Sequence, residues 1–75
     1  MARTQQVDIA AEMVANVIEV TVKVGQRVEA GDAVVLLESM KMEIPVLTET
    51  PGTVRAVKVS SGDVVQEGTV MLTLS

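Results

Sequence analysis

The chain matches itself. Sliding it by 37 residues aligns 7–38 on 44–75 without a gap. Identities fall at Glu12/Glu49, Val17/Val54, Val20/Val57, Val22/Val59, Gly25/Gly62, Val28/Val65, Gly31/Gly68 and Leu37/Leu74. Conservative pairs such as Val7/Ile44, Ile9/Val46, Val34/Met71 and Val35/Leu72 lie between them. In a Val-rich chain some matches arise by chance, so the paired glycines carry more weight: turns that need positive φ recur at the same places. Two similar half-domains follow. Neither is long enough to bury its apolar face alone, so they must pack on one another. At 75 residues the whole makes one small domain, with little room for an enzyme cleft between lobes.

The halves are built from strands. Sixteen Val, three Ile and seven Thr supply β-branched side chains, which are stiff at χ1 and pack well on a pleated surface. Val20, Val22 and Val24 alternate, as do Val57 and Val59, and Ala33-Val34-Val35-Leu36-Leu37 reads as a strand buried on nearly both faces. Helix is the competing reading for Ile9 to Val20, with Asp8 as a cap and Ile9, Met13, Val17 and Val20 at helical spacing. The β-branched Val14, Val17, Ile18 and Val20 stand against it. So does the aligned segment, which holds Pro51-Gly52 and suits no regular helix. About four short strands per half are expected, with turns at Gly31-Asp32, Pro51-Gly52 and Ser60-Ser61-Gly62-Asp63.

The halves meet at residues 39–43, Ser-Met-Lys-Met-Glu, and Lys41 is the centre of the repeat. A straight strand over 33–47 would span about 50 Å, against a radius of gyration of roughly 11 Å for a compact domain of this length. The chain must therefore fold back near residue 40, and Lys41 is expected in solvent at a hairpin tip. Two-residue hairpins favour Asn-Gly, Asp-Gly or Gly-X, and Met40-Lys41 is none of these. A broken local rule tends to mark a functional site. Two exposed methionines at such a tip point to a surface that something reads.

Other chemistry is excluded by what is missing. The chain has no Cys, His, Phe, Tyr or Trp. That removes disulfides and thiolate metal sites, the usual general base, and base stacking on aromatics. A formal net charge of −4 argues against nucleic acid, which is held mainly by Lys/Arg contacts to phosphate. No apolar run approaches a membrane helix, and the polar start lacks the apolar stretch of a secretory signal. A cytoplasmic protein that is not an enzyme is the expectation.

Glu38-Ser39-Met40-Lys41-Met42-Glu43 resembles the attachment motif of biotinyl domains, usually written Glu-Ala-Met-Lys-Met. Pro45, Val46, Gly52 and Val54 fall where that family carries Pro, Ile/Val, Gly and Val after the lysine. Gly25, Val28 and Gly31 fall where it carries G-x-x-V-x-x-G before it. The resemblance to biotin/lipoyl attachment domains, including the free-standing bacterial ones and small actinobacterial biotinylated proteins, covers residues 7–75. It implies a flattened antiparallel β-barrel, a sandwich of two four-stranded sheets related by a pseudo-twofold, with the lysine hairpin at one end and both termini at the other. Residues 1–6 are then a flexible tail, and 7–75 the carrier domain, with half-repeats 7–38 and 44–75 around the hairpin 39–43. It also implies that a biotin protein ligase joins biotin to the Lys41 amine. The biotin arm then carries carboxyl between a biotin carboxylase and a carboxyltransferase, tethering raising its local concentration at each. No nucleic acid or membrane partner is expected, and the carrier is expected to be monomeric.

Ser39 replaces the usual Ala. The first half also lacks the Pro-Met-Pro-Gly-Thr run of many relatives, having Glu12-Met13-Val14-Ala15-Asn16 instead, and Asn16 is expected to keep the turn there through its tolerance of positive φ. No inserted thumb loop of the kind some acyl-CoA carboxylase carriers have is present. Two alternatives stay open. One is a lipoyl carrier, whose motif usually has Asp before the lysine and Ala after it, unlike Met40 and Met42. The other is a β-module that binds partners with Lys41 unmodified. Lys23 and Lys58 read as solvated surface charges, and Gly25, Gly31, Gly62 and Gly68 as turn residues. Met40 or Met42 as core filler, and Glu38 and Glu43 as edge charges that discourage strand addition, are the plainer readings of those side chains.

Overall fold

A computed structural model describes residues 6–75. The expected tail therefore lies, apart from Gln6, outside the described residues. Eight strands follow in order: β1 (Val7–Ala10), β2 (Ala15–Val20), β3 (Arg27–Val28), β4 (Ala33–Ser39), β5 (Met42–Leu47), β6 (Gly52–Val57), β7 (Val64–Val65) and β8 (Val70–Leu74). There is no helix among the described residues, and none is long and apolar enough to cross a membrane. Ile9 to Val20, where helix competed, holds the end of β1, a short link and β2.

The strands form two antiparallel four-stranded sheets, ordered β1-β8-β6-β3 and β5-β4-β2-β7. Exchanging β1 with β5, β2 with β6, β3 with β7 and β4 with β8 turns one order into the other. The hydrogen bonds follow the same exchange. Gly25 N donates to Val54 O as Gly62 N donates to Val17 O, and Gly31 N to Thr48 O as Gly68 N to Ala11 O. Side-chain turn bonds pair likewise: Asp32 Oδ2 accepts from Glu29 N, and Thr69 Oγ1 from Gln66 N. Even the bulges are related, at Val17/Glu19 between β2 and β4 and at Val54/Ala56 between β6 and β8. Gly31 (φ 94°) and Gly68 (φ 91°) share a left-handed backbone that a Cβ would strain.

The core obeys the symmetry too. Val17, Val22, Val28, Val34, Val35 and Leu37 are buried, and so are their mates Val54, Val59, Val65, Met71, Leu72 and Leu74. Each half closes the other, as the apolar periodicity requires. β1 starts beside the end of β8, with Val7 opposite Leu74, and runs away from it. Four residues later β2 begins beside the end of β4, with Asn16 opposite Glu38. The β4–β5 hairpin thus lies at one end of the barrel, and Val7 and Leu74 lie at the other.

Four local expectations are corrected. Asn16 is not in positive φ; it is extended in β2, paired with both Glu38 and Val64, so strand pairing overrides its turn preference. Gly52 is likewise no positive-φ turn residue but the first residue of β6. A Cβ there would come within 3.2 Å of Ser75 O and 3.3 Å of Leu74 Cβ, so close approach is what favours glycine. In the run 33–37, Ala33 is exposed and Leu36 half-buried. Val34 and Val35 are both fully buried, because a bulge between Ala33 and Val35 resets the alternation. Val24 lies in the turn after β2 and is 63% exposed, ending the Val20/Val22/Val24 alternation.

Candidate functional site: the β4–β5 hairpin

β4 and β5 pair from Ala33 opposite Leu47 to Ser39 opposite Met42. Only Met40 and Lys41 remain to turn the chain. Two-residue connections that match strand twist are type I′ or II′ turns, of which I′ has positive φ at both central residues, and Met40 (φ 53°) and Lys41 (φ 65°) supply it. They are the only non-glycine residues with positive φ among those described. Each holds its Cβ against the following carbonyl, at a cost of roughly 1–2 kcal/mol per residue. The pairing below overrides that cost: Leu37, buried, sits opposite Ile44, half-buried against the core.

The tip is bare. Met40 is 91% exposed and Met42 62% exposed, and Lys41 is exposed as well, so neither methionine serves as core filler. Ser39 is half-buried, while Glu38 and Glu43 are exposed and face each other directly across the ladder. Like charges in that arrangement destabilise a sheet. The ion pair among the described residues is Arg27–Glu29 at 3.2 Å, so neither hairpin carboxylate takes part in one there. Lys23 and Lys58 are also exposed; what separates Lys41 from them is its place at the strained tip.

A groove of about 400 Å³ opens between β1 and β5, reaching Leu37 and Ile44 below the hairpin. Val7 and Ile9 line one wall, Ile44 and Val46 the other, and Lys41 does not line it. These four residues are two mated pairs, so the groove follows from the twofold packing and is not built around the lysine. None of the six motif residues lines that groove; they form a presented surface. Such a tip suits covalent attachment and handing over a group, with chemistry supplied by whatever docks.

Sequence patterning missed two exposed valines at the hairpin end of the barrel. Val14 and Val64 are 63% and 65% exposed. The signal that finds them is the repeat itself: their mates are Pro51 and Arg27.

The family described as "Biotin-requiring enzyme" matches residues 6–74. A "Biotinylated protein TB7.3 homolog" of Mycobacterium leprae is 53% identical over 68 residues, covering 91% of this chain and 96% of the relative. A "Biotin/lipoyl attachment protein" of Bacillus subtilis is 46% identical over 67 residues, covering 89% of this chain and 92% of the relative. Among solved structures, the urea carboxylase of Kluyveromyces lactis matches with a TM-score of 0.89 at 27% identity, covering 100% of this chain and 7% of that one. The chain thus corresponds to a small part of that carboxylase and to nearly the full length of the two curated relatives.

Proposed function

The chain belongs to the biotin/lipoyl attachment family, and from that premise we propose that it is a biotin carboxyl carrier with Lys41 as the attachment residue. The observation that carries this reading is the tip. A lysine is held in left-handed backbone at the end of a hairpin, where Asn or Gly would be easier, with exposed methionines on both sides. The fold accepts strain there to present one amine.

Biotin bound through an amide to Lys41 would supply a ureido nitrogen able to take up and release carboxyl. The chain's own residues do the rest. The β4–β5 ladder fixes the base of the arm, and the short turn keeps the amine clear of the barrel. A biotin protein ligase would find its target by docking on the hairpin, where Lys41 is exposed and stands outside the groove. Biotin carboxylase and carboxyltransferase sites would then receive the same tip, consistent with the matching domain in a urea carboxylase. The carrier is a substrate and a shuttle, not a catalyst. A cysteine-free chain suits a reducing, cytoplasmic setting. Methionine on both sides of Lys41 disfavours lipoyl attachment.

The test is intact mass after co-expression with a biotin ligase and excess biotin, with peptide mapping of the adduct. One biotin on Lys41 is expected. Lipoate in its place, biotin on Lys23 or Lys58, or no adduct would overturn the assignment.

A further inference from the structure

The pseudo-twofold provides an internal control. Mated positions meet the same backbone demands, so a surface difference between mates is not required by the fold. At the hairpin end, Val14 and Val64 are exposed valines, whereas the mated positions at the opposite end hold Pro51 and Arg27. The register places Val64 in the row of Glu38 and Glu43 at the base of the hairpin, and Val14 directly precedes β2 at the same end. Asn16 pairs with Glu38 on one side and with Val64 on the other. Continuing the β2–β4 register sets Val14 level with Met40. Val64, Asn16, Glu38 and Glu43 form one row across β7-β2-β4-β5, and all four are exposed. Val64 lies two strand spacings from β4, or about 10 Å.

We propose that Val14 and Val64 form a shoulder beside the lysine hairpin that docks on the biotin protein ligase, extending its recognition surface beyond the Met-Lys-Met motif. The inference rests on the attachment reading above. Reach selects this partner. An unmodified lysine carries its amine only about 6 Å from Cα, so the ligase must close on the tip before the amine enters its site. A surface that close also covers the neighbouring strands. Later partners receive a longer arm and need no such approach. Charge points the same way: Glu38 and Glu43 are opposed and unpaired among the described residues, and a docked face carrying Lys or Arg relieves their repulsion. The fitting surface is therefore apolar at its centre and basic at its rim.

The test removes the apolar shoulder. Val64→Arg, which places there the residue its mate carries, and Val14→Ser, a small polar replacement, are made singly and together in the full chain. Biotinylation by the ligase is followed as kcat and KM, beside the thermal midpoint and the rate of Lys41 acylation by an activated biotin ester. The backbone already carries Arg at the position mated to Val64, so an unchanged midpoint and unchanged chemical acylation are expected. KM for the double variant should rise roughly tenfold or more, from the loss of two docked apolar side chains, with kcat nearly constant. Ligase kinetics within twofold of the parent overturn the proposal. So does normal biotinylation with impaired carboxylation, which assigns the shoulder to the carboxylase. Failure of the parent chain itself to accept biotin on Lys41 overturns the attachment reading instead, and the proposal with it.

Discussion

Replacing Met40-Lys41 by Asn-Gly should make this protein more stable while removing the proposed attachment residue. Both residues occupy left-handed backbone, at φ 53° and 65°, and each non-glycine residue there costs roughly 1–2 kcal/mol. Asn tolerates this region and Gly has no Cβ to clash. Nothing is lost from the core, because Met40 is 91% exposed and Lys41 points to solvent. Part of the gain is returned, since glycine loses more freedom on folding, by about 0.5–1 kcal/mol. The net expectation is a stabilisation of about 1–2 kcal/mol, and in a domain of this size each kcal/mol shifts the midpoint by about 4–8 °C. Urea and thermal unfolding of Met40→Asn/Lys41→Gly against the parent measure it. Lys41→Ala separates the causes: alanine keeps the Cβ, so it should gain nothing where Lys41→Gly gains. A double variant no more stable than the parent would refute the idea that the hairpin holds strain in order to present its lysine.

The other expectations concern the attachment residue, the core and the turns. Lys41→Ala should abolish the biotin adduct in intact-mass spectra while leaving the midpoint nearly unchanged; unfolding of this variant would contradict an exposed tip. Val22→Ala and Val59→Ala, at mated buried positions, should each lower stability by about 1 kcal/mol or more. Leu37→Ala beneath the hairpin should cost about 2–5 kcal/mol, and unchanged urea midpoints would remove these residues from the core. Gly62→Ala, at φ 96°, should cost about 1–2 kcal/mol. Gly52→Ala should cost less, because its mate Ala15 already carries a Cβ at the equivalent place; the reverse order would show that crowding by Ser75 O outweighs backbone strain.

What the sequence made legible is what the repeat makes redundant. Glycines matched at 25/62 and 31/68 marked turns that the backbone bears out, with positive φ at all four. Valines matched at 17/54, 22/59 and 28/65 marked core positions that are all buried. Each reading had two witnesses. The failures came where one residue type serves two physical ends. Gly52 looked like a turn and is instead a close contact between β6 and the end of β8. Asn16 looked like a left-handed residue and is held extended by partners on both sides. Register and approach distance are tertiary quantities, and neither residue type announces them. Val24 misled for the same reason, since alternation says nothing of where a strand ends.

The same redundancy separates the demands of folding from the demands of function. Turn bonds, bulges and buried residues recur across the twofold, so the fold accounts for them wherever they occur. The hairpin over 39–43 joins the halves and has no mate to copy. There the chain departs from what stability alone would choose in three ways. It places Met and Lys in left-handed backbone, leaves two methionines in solvent, and opposes two glutamates across one pair of strands. A chain selected only to fold would shed all three, since each has a cheaper substitute that the backbone accepts. Their joint presence around one amine is hard to reconcile with an inert surface loop. It fits a tip whose stability is completed when a partner covers it.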